Sequence, residues 1–294
     1  MKVVYGHTDS IYVQIDSVES AKVAIKEIES SVREHFPNVM GLEQHPVVLE
    51  FEKYYSALGV GTTKNRNAGM VAWDDGEWLE KPKFTMTGFT AKRVSETKLS
   101  KSVQTDVLKM WVNQEPLSKI NAKLNAVYSS VISGQLEIES VIKRSRLRKE
   151  RFNVKCNECG SKYHLNECLD LKWCKKCGED TKNFVTFSGK KPSIGSGIAG
   201  VLYVQQKNQT DFDDTYLYLK IKSMDTFIHP LTKEKRNAEY ISGITYEDFS
   251  ACEPDWEHYA QQVLKKAEPI YRAMGWDLSS IRTGKIQKKL DEWF

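Results

Sequence analysis

The nonapeptide at residues 5–13 constrains the fold of this chain more than any other feature of its sequence. Strand-forming residues stand on both sides of its centre, as Val-Val-Tyr at 3–5 and as Ile-Tyr-Val at 11–13. Gly6 and Asp9 lie between them and suit a tight reversal, so the stretch predicts a β-hairpin. Such a hairpin would hold the carboxylate of Asp9 at its tip, where a hard divalent cation could reach it.

The length and composition of the chain limit the class of protein. With 294 residues the chain can bury a sizeable core in two or three domains. A formal net charge of +4 is only mildly basic, so nucleic-acid binding must depend on local basic clusters. No run of 18 apolar residues occurs, and the N-terminus lacks the apolar segment of a signal peptide. We therefore expect a cytoplasmic protein that is neither secreted nor bound to a membrane.

Regular elements follow the hairpin. Asp16 or Ser17 can cap a helix with an apolar stripe at three-to-four spacing, which Pro37 ends. Residues 47–53 alternate in the manner of a strand, and further short strands are expected around 68–73 and 83–90. The turn Asp74-Asp75-Gly76 separates the last two.

The remainder of the chain is mainly helical by its pattern. Helices are predicted from about 95, from about 116 to 133 and from 136 to 151. Residues 197–228 indicate strands, with Val-Leu-Tyr-Val at 201–204 and Tyr-Leu-Tyr-Leu at 216–219 on either side of a polar turn. A last helix is predicted from about 254 to 274, ending at Gly275.

Two Cys-x-x-Cys pairs separated by a short loop have the spacing of a zinc ribbon: Cys156, Cys159, Cys174 and Cys177. Four thiolates make a closed tetrahedral site without an open position, so we expect Zn²⁺ to be structural here. The pairs lie in a cysteine-rich insert at about 153–184. His164 and Cys168, between the pairs, are alternative ligands. A free-standing zinc-ribbon protein that binds nucleic acid is one hypothesis for the whole chain.

The hairpin sequence resembles a known catalytic motif. Residues 5–10, Tyr-Gly-His-Thr-Asp-Ser, are similar to the Tyr-Gly-Asp-Thr-Asp-Ser signature in the palm of family B DNA polymerases. Segments further along resemble, in the family's order, its Leu-Glu-Phe-Glu-Lys strand, its primer-contacting motif, its first thumb helix and its last thumb helix. These segments are 49–55, 63–69, 88–108 and 256–264. The matches cover most of the chain outside the cysteine-rich insert.

The resemblance implies an α+β fold with a partial palm of hairpin, helix and antiparallel strands. A mainly helical thumb with a zinc-ribbon insertion would follow. The palm part would be 1–95, the thumb 96–279 with its ribbon at 153–184, and 280–294 a flexible tail. Nucleotidyl transfer uses two Mg²⁺ ions, for which the family's pattern supplies Asp9 with Glu52 or Glu50 nearby. DNA contacts are implied for Thr8, Lys64, Arg66 and Arg93.

The chain also departs from the family's pattern at three places. His7 stands where the signature has its first aspartate, and imidazole is a poor ligand for Mg²⁺. Asn67 stands where the family has a primer-gripping tyrosine, and Val94 stands where it has arginine. Two interpretations remain: a polymerase with a weakened site, or a catalytically inactive accessory protein that binds DNA and a sliding clamp.

The resemblance covers the end of the palm and the thumb only. A family B polymerase also needs another aspartate, a nucleotide-binding helix and usually an exonuclease. We therefore expect this chain to be the small subunit of a split polymerase. Its partners would be a large subunit with the rest of the palm, fingers and exonuclease, together with primer-template DNA. An unpaired hairpin edge also favours completion by a partner chain.

A basic run leads into the cysteine-rich insert and includes Lys143, Arg144, Arg146 and Arg148. Such a run is commonly the solvated face of a helix. On a polymerase thumb it would bind DNA phosphates without reading sequence, and we favour that role. The zinc module itself is either a structural staple alone or also a contact for DNA.

The last eight residues, Gln-Lys-Lys-Leu-Asp-Glu-Trp-Phe, resemble the peptide by which replication proteins dock on the sliding clamp. Gln287 can hydrogen-bond beside a pocket, while Leu290, Trp293 and Phe294 form a one-turn apolar plug. The alternative is that the two aromatic rings pack back on the thumb.

Overall fold

The computed structural model describes residues 2–6, 10–61, 65–147, 153–208, 210–222 and 225–283. These residues form a mixed protein of helices and small antiparallel sheets, as the α+β expectation requires. The helices are α1 Val18–His35, α2 Lys98–Val112, α3 Leu117–Ile132, α4 Ser196–Asn208, α5 Trp256–Met274 and α6 Ser279–Thr283. The strands are β1 Lys2–Gly6, β2 Ile11–Gln14, β3 Lys53–Val60, β4 Asn67–Asp74, β5 Glu77–Thr87, β6 Lys143–Arg146, β7 Asn153–Lys155, β8 Lys162–His164, β9 Thr215–Lys220, β10 Thr226–Ile228, β11 Lys235–Asn237 and β12 Tyr240–Gly243.

The chain divides into two compact units. Unit 1 comprises Met1–Lys92, Thr105–Asn121 and Ile270–Trp276, and unit 2 comprises Arg93–Gln104, Ala122–Pro269 and Asp277–Phe294. No helix among the described residues is long and apolar enough to cross a membrane.

The N-terminal hairpin of unit 1 forms as predicted. β1 pairs antiparallel with β2 in a register that runs from Lys2 opposite Gln14 to Gly6 opposite Ile11. α1 follows with Ser17 as its N-cap, whose Oγ accepts a hydrogen bond of 3.1 Å from the backbone N–H of Ser20. These findings confirm the predicted hairpin and the predicted helix cap.

A three-stranded antiparallel sheet of order β3–β4–β5 forms the main sheet of unit 1. β4 is central, and residues 67–73 along it are all buried. Asp75 and Gly76 connect β4 to β5 with φ values of +47° and +102°, as a tight hairpin turn requires. The strand predicted around 68–73 is thereby confirmed, whereas the one predicted around 83–90 is the second half of β5, which ends at Thr87.

The predicted strand over 47–53 is wrong, because β3 begins only at Lys53. The preceding segment is held mainly by contacts with side chains of α1 and β4. The carbonyl of Val47 accepts a hydrogen bond of 3.0 Å from Nε of Arg33 in α1. Phe51 stacks on Trp73 of β4 with 4.5 Å between ring centroids. Its alternating pattern therefore reflects packing of an extended segment, not strand pairing.

In unit 2, a three-stranded antiparallel sheet has the order β12–β9–β6, and α4 packs against β12. The strand predicted at 201–204 is wrong, because these residues lie within α4. Two glycines let this helix approach the sheet closely. A Cβ on Gly197 would lie 2.4 Å from the hydroxyl of Tyr216, and one on Gly200 would lie 2.5 Å from Oγ of Ser242.

The helix predicted from 136 to 151 is also wrong. Residues 138–140 form a single 3₁₀ turn, and the chain then enters the strand β6. β6 pairs with β9 from Lys143 opposite Tyr218 to Arg146 opposite Thr215. The hydrogen bonds of this ladder, which depend on a distant segment, override the good helix propensity of the basic residues.

The remaining long helices match their predictions within a few residues. α2 and α3 occupy the two helical segments expected between 95 and 133. Gly134 follows α3 with φ of +66°, and a Cβ there would lie 3.0 Å from Nε1 of Trp256. α5 ends at Met274, immediately before Gly275, which also has a positive φ of +68°.

Candidate active-site hairpin and cysteine centre

Several residues predicted for the sites lie outside the described residues. They are Thr8, Asp9, Lys64, Arg148, Gln287, Leu290, Trp293 and Phe294. The described geometry around the hairpin therefore concerns the strands that lead into and out of the segment 7–9.

Tyrosine side chains link the hairpin to the main sheet of unit 1. The rings of Tyr5 and Tyr12 lie 5.4 Å apart, and that of Tyr12 lies 6.1 Å from the ring of Tyr55 on β3. The Tyr5 hydroxyl accepts a hydrogen bond of 3.0 Å from the backbone N–H of Asn65. Sequence reasoning missed this cluster, because tyrosines at strand positions carry no spacing signal that distinguishes a functional support from ordinary packing.

Asn67 is part of the same cluster. It is buried, and its side chain hydrogen-bonds to that of Tyr12. Burial raises the pKa of Tyr12, and the nearby Tyr55, Tyr5 and Glu52 add to this rise, whereas the bond from Asn67 opposes it. The amide thus packs against a tyrosine that follows the hairpin turn.

The two predicted accessory carboxylates differ in their surroundings. Glu52 is exposed and lies 3.9 Å from the ammonium of Lys53, which also contacts Asp74 at 3.6 Å. Its charge is the smallest of the contributions that raise the pKa of Tyr12. Glu50 is exposed as well, and no contact joins it to the hairpin among the described residues. Of the two, Glu52 is the one whose charge contributes to the pKa of a hairpin tyrosine.

Arg66 lies in a loop held close to the end of β5. The backbone N–H of Gly61 donates a hydrogen bond of 2.8 Å to the carbonyl of Arg66. Gly88 has φ of +75°, and a Cβ there would lie 1.8 Å from the carbonyl oxygen of Asn65 and 3.2 Å from Cγ of Arg66. Only glycine permits this approach, which brings residue 88 close to the backbone of Asn65 and the stem of Arg66.

The other predicted DNA contacts are in unit 2. Arg93 is exposed and precedes α2. On β6, Arg144 and Arg146 are exposed, whereas Lys143 is half-buried. Residues two apart in a strand share a face, so the two arginines lie on the same side of the sheet. No carboxylate forms an ion pair with any of these four residues in the described part of the chain.

The four predicted zinc ligands come together in unit 2. The sulfur atoms of Cys156, Cys159, Cys174 and Cys177 all lie within 4.8 Å of one another. Two of the Sγ–Sγ distances, Cys156–Cys177 and Cys159–Cys174, are 3.5 Å. A tetrahedral Zn²⁺ with Zn–S of about 2.3 Å separates its sulfurs by about 3.8 Å, so the cluster fits a metal such as zinc.

Hydrogen bonds to the sulfur of Cys174 favour its thiolate. Burial raises the pKa of Cys174, but bonds from the Tyr163 hydroxyl and from the backbone N–H groups of Cys177 and Lys176 lower it to about 5. The Tyr163 oxygen lies 3.2 Å from this sulfur and accepts a hydrogen bond of 2.9 Å from the N–H of Lys175. Tyr163 is a supporting residue that the cysteine spacing did not reveal.

Full ionisation of the four cysteines would require a cation among them. The N–H of Glu179 lowers the pKa of Cys177, yet burial and the neighbouring sulfurs outweigh it and raise this pKa to about 12. Four thiolates this close cannot all be ionised without a positive charge among them. A divalent metal at this cluster would supply that charge, since metal-bound cysteines are deprotonated.

The alternative ligands lie outside the four-cysteine cluster. Cys168 is buried, and burial raises the pKa of its thiol to about 11. Its Sγ lies 3.4 Å from the carbonyl of His164, whose side chain is exposed. Within the described residues, the cluster that could hold a metal ion consists of the two Cys-x-x-Cys pairs alone.

Comparisons with known proteins agree with the fold and the motif. The family model of DNA polymerase family B matches residues 1–274. The solved structure of the family B DNA polymerase from the hyperthermophilic archaeon Pyrobaculum calidifontis is similar, with a TM-score of 0.54 and 16% sequence identity. The similarity covers 94% of this chain but only 27% of that polymerase. No curated protein is significantly similar in sequence.

Proposed function

The chain belongs to DNA polymerase family B, and we propose that it is the palm and thumb half of a split DNA-directed DNA polymerase. As a nucleotidyltransferase subunit it would complete the two-metal site of a partner chain and grip primer-template DNA. Residues 1–95 would be the end of the palm and 96–279 the thumb. The family match over residues 1–274 is the observation that carries this proposal.

Asp9 would bind Mg²⁺ at the tip of the hairpin, with Glu52 as the accessory carboxylate. Carboxylate oxygens are the ligands that Mg²⁺ prefers, and the bound ions would activate the primer hydroxyl and neutralise the triphosphate. The tyrosine contacts from Tyr5 and Tyr12 to the main sheet support this role, since a catalytic hairpin must be held rigidly. Glu52 is preferred to Glu50 because its charge acts on Tyr12.

Basic residues on both units would bind DNA phosphates. Thr8, Lys64 and Arg66 would contact the primer-template near the site, and the close approach at Gly88 supports a fixed position for Arg66. In unit 2, Arg93 and the basic run Lys143, Arg144, Arg146 and Arg148 would hold the duplex. The exposure of Arg144 and Arg146 on one face of β6 is consistent with such a contact.

A large polymerase subunit with the rest of the palm, the fingers and the exonuclease would cover the hairpin. Val3, Val4 and Ile11 are 60%, 43% and 48% exposed, although they are strongly apolar. A two-stranded sheet with such a surface is marginal on its own and favours pairing with further polypeptide.

The zinc ion would be structural, because four cysteines leave no open coordination position. The C-terminal peptide with Gln287, Leu290, Trp293 and Phe294 would dock on a sliding clamp. DNA synthesis with a sliding clamp would place the protein at the nucleoid in the cytoplasm.

Primer extension by the reconstituted enzyme tests the proposal. The chain is mixed with the polypeptide that carries the rest of the palm, with primed DNA, nucleotides and Mg²⁺. Extension that needs both polypeptides and fails with Asp9→Ala is the expected result. As a matched control, Asp16→Ala removes a carboxylate beyond the hairpin and should leave extension intact.

A catalytically inactive accessory protein that binds DNA and the clamp is the second candidate. The buried position of Asn67, bonded to Tyr12, favours it, because that side chain is directed into the protein at the place of a primer-gripping tyrosine. Val94, 76% exposed, likewise offers no charge to a phosphate. Binding of primed DNA by the mixture without any extension would decide for this function.

A further inference from the structure

A basic cavity lies beside the cysteine centre in unit 2. It measures about 410 Å³ and is lined by residues from three separate segments. Its lining includes Lys182 from the 3₁₀ turn after the cysteines, Lys191 from the connection to α4, and Arg236 from β11. His229, Thr232 and Glu234 from the β10–β11 hairpin and Ser193 complete its polar lining. None of these residues belongs to the proposed polymerase site.

Buried hydrogen bonds hold the walls of this cavity together. Oγ1 of Thr181 donates a bond of 3.0 Å to the carbonyl of Leu231, which joins the 3₁₀ turn to the hairpin. The ammonium of Lys233 donates to the carbonyls of Leu169 at 3.0 Å and Pro230 at 2.7 Å, and also to that of Cys168. The side chains of Thr181 and Lys233 therefore connect the β10–β11 hairpin to the cysteine-rich insert.

His229 is a buried, neutral residue of the lining. Its Nδ1 accepts bonds from the backbone N–H groups of Leu231 at 3.2 Å and Thr232 at 3.1 Å. Burial lowers the pKa of His229 to about 4, and the charges of Arg236, Lys233 and Lys191 contribute to this shift. The ring is thus neutral near pH 7, and its single proton must lie on Nε2.

The charged side chains of the lining are predominantly positive. Three cations face one carboxylate, so the net charge of the lining is +2. Lys182 is 3.2 Å from Asp180, and Arg236 is 3.6 Å from Glu234, while Lys191 has no ion-pair partner among the described residues. When Asp180 is counted with the lining, the local excess is +1, and Lys191 carries it.

We propose that this cavity binds a phosphate group, supplied by a nucleic-acid strand or by a free nucleotide. The guanidinium of Arg236 can hold two phosphate oxygens at once, and the ammonium of Lys191 supplies a second positive charge. A strand phosphate carries one negative charge and a phosphate monoester close to two, so either is attracted by the positive lining, in which Lys191 has no carboxylate partner among the described residues. The neutral Nε2–H of His229 adds a donor that would not depend on pH above about 6.

A matched pair of double variants isolates the cavity from general surface charge. The cavity variant is Lys191→Gln with Arg236→Gln. The control variant is Lys190→Gln with Lys235→Gln, which removes the same charge from adjacent exposed positions that do not line the cavity. Both are made in the zinc-loaded full chain, and zinc content with amide NMR dispersion verifies folding. The exposed single variant Lys191→Gln repeats the test with the least structural change.

The first measurement follows the amide resonances of Leu231 and Thr232 during titration with inorganic phosphate or with dAMP. Sodium chloride at matched ionic strength is the reference. We expect saturable shifts in the wild type and the control variant, and at least tenfold weaker binding in the cavity variant. Shifts that do not saturate, or that are equal in both double variants, would overturn the proposal.

The second measurement identifies the source of the phosphate. Anisotropy of labelled single-stranded and duplex DNA is measured over a series of salt concentrations. If a strand phosphate binds, the cavity variant alone loses affinity, and its salt slope falls by about 0.9 for each lost duplex contact. Saturable binding of dAMP with unchanged DNA affinity assigns the cavity to a free nucleotide instead. If neither measurement shows binding that depends on the cavity, phosphate binding there is rejected. The proposed polymerase function is unaffected, since primer extension tests that separately.

Discussion

Replacement of Gly88 by alanine tests the close approach that holds the loop of Arg66. A Cβ at this position would lie 1.8 Å from the carbonyl oxygen of Asn65, whereas carbon and oxygen normally approach no closer than about 3.3 Å. One of the two backbone segments must therefore move by about 1.5 Å. The residue also has φ of +75°, which disfavours any residue with a side chain.

The expected cost has two parts. A positive φ at a non-glycine residue costs about 1–2 kcal/mol, and the forced shift adds the about 1–3 kcal/mol typical of overpacking. Gly88→Ala should therefore lower the free energy of unfolding by about 2–5 kcal/mol. Gly41→Ala is the matched control in the same unit, because Gly41 has φ of +64° but no atom within 4 Å of its added Cβ. The control should show only the first part.

Urea unfolding followed by tryptophan fluorescence measures both variants. The account predicts that Gly88→Ala loses about 1–3 kcal/mol more than Gly41→Ala. Without urea, where both variants are folded, Gly88→Ala should also bind primed DNA more weakly, because Arg66 moves with the loop. Equal destabilisation by the two substitutions would refute the argument that Gly88 is required for packing.

Three further predictions concern the supporting residues. Tyr163→Phe removes the hydroxyl that bonds Cys174 and should weaken zinc binding by about 10–100-fold in a chelator competition, whereas unchanged affinity would contradict its supporting role. Tyr12→Phe leaves the buried amide of Asn67 without the tyrosine hydroxyl and should lower the free energy of unfolding in urea by about 1–3 kcal/mol. In an Asn67→Ala background the same change should lower it much less. His229 has its pKa lowered to about 4, so between its usual value near 6.5 and 4 the unfolded chain binds a proton that the folded chain does not. Stability should therefore fall as pH drops through this window. It should fall less steeply in His229→Asn, which keeps an acceptor but does not titrate. If the free energy of unfolding has the same pH dependence in the wild type and this variant, the titration of His229 is excluded as the cause.

Elements whose stability depends on local signals were predictable from the sequence. The hairpin of β1 and β2 has strand formers around a turn, and α1 has both its serine cap and a proline just beyond its end. The long amphipathic α5 likewise follows from its periodic apolar residues. In each case the information needed lies within about 20 residues.

Elements whose conformation depends on distant partners were not predictable. β6 is a strand because β9, some 70 residues later, supplies its ladder, although lysine and arginine favour a helix locally. α4 contains the β-branched residues Val201 and Val204, which favour a strand, yet its glycines fit the helix closely against the sheet. The segment 47–52 alternates like a strand but finds its contacts in Arg33 and Trp73.

The residues of the candidate sites also include some that local sequence predicts and others that only tertiary contacts reveal. The four cysteines were predictable because zinc dictates the spacing of its ligands. Tyr163 and the tyrosines around the hairpin were not, since a single aromatic residue in a strand carries no signal of what it will contact. The basic cavity around Arg236 brings together three segments that only the tertiary structure makes neighbours.

Single-turnover nucleotide incorporation by the reconstituted enzyme tests the central claim most directly. The account predicts that Asp9→Ala lowers the rate more than about a hundredfold while primed DNA still binds, because even the loss of a residue that supports a metal ligand costs 10–100-fold. His7→Asp, which restores the first aspartate of the family's signature, should raise the rate. Incorporation that persists within about twofold in Asp9→Ala, a change worth under about 0.5 kcal/mol, would contradict the claim that this side chain holds the catalytic metal.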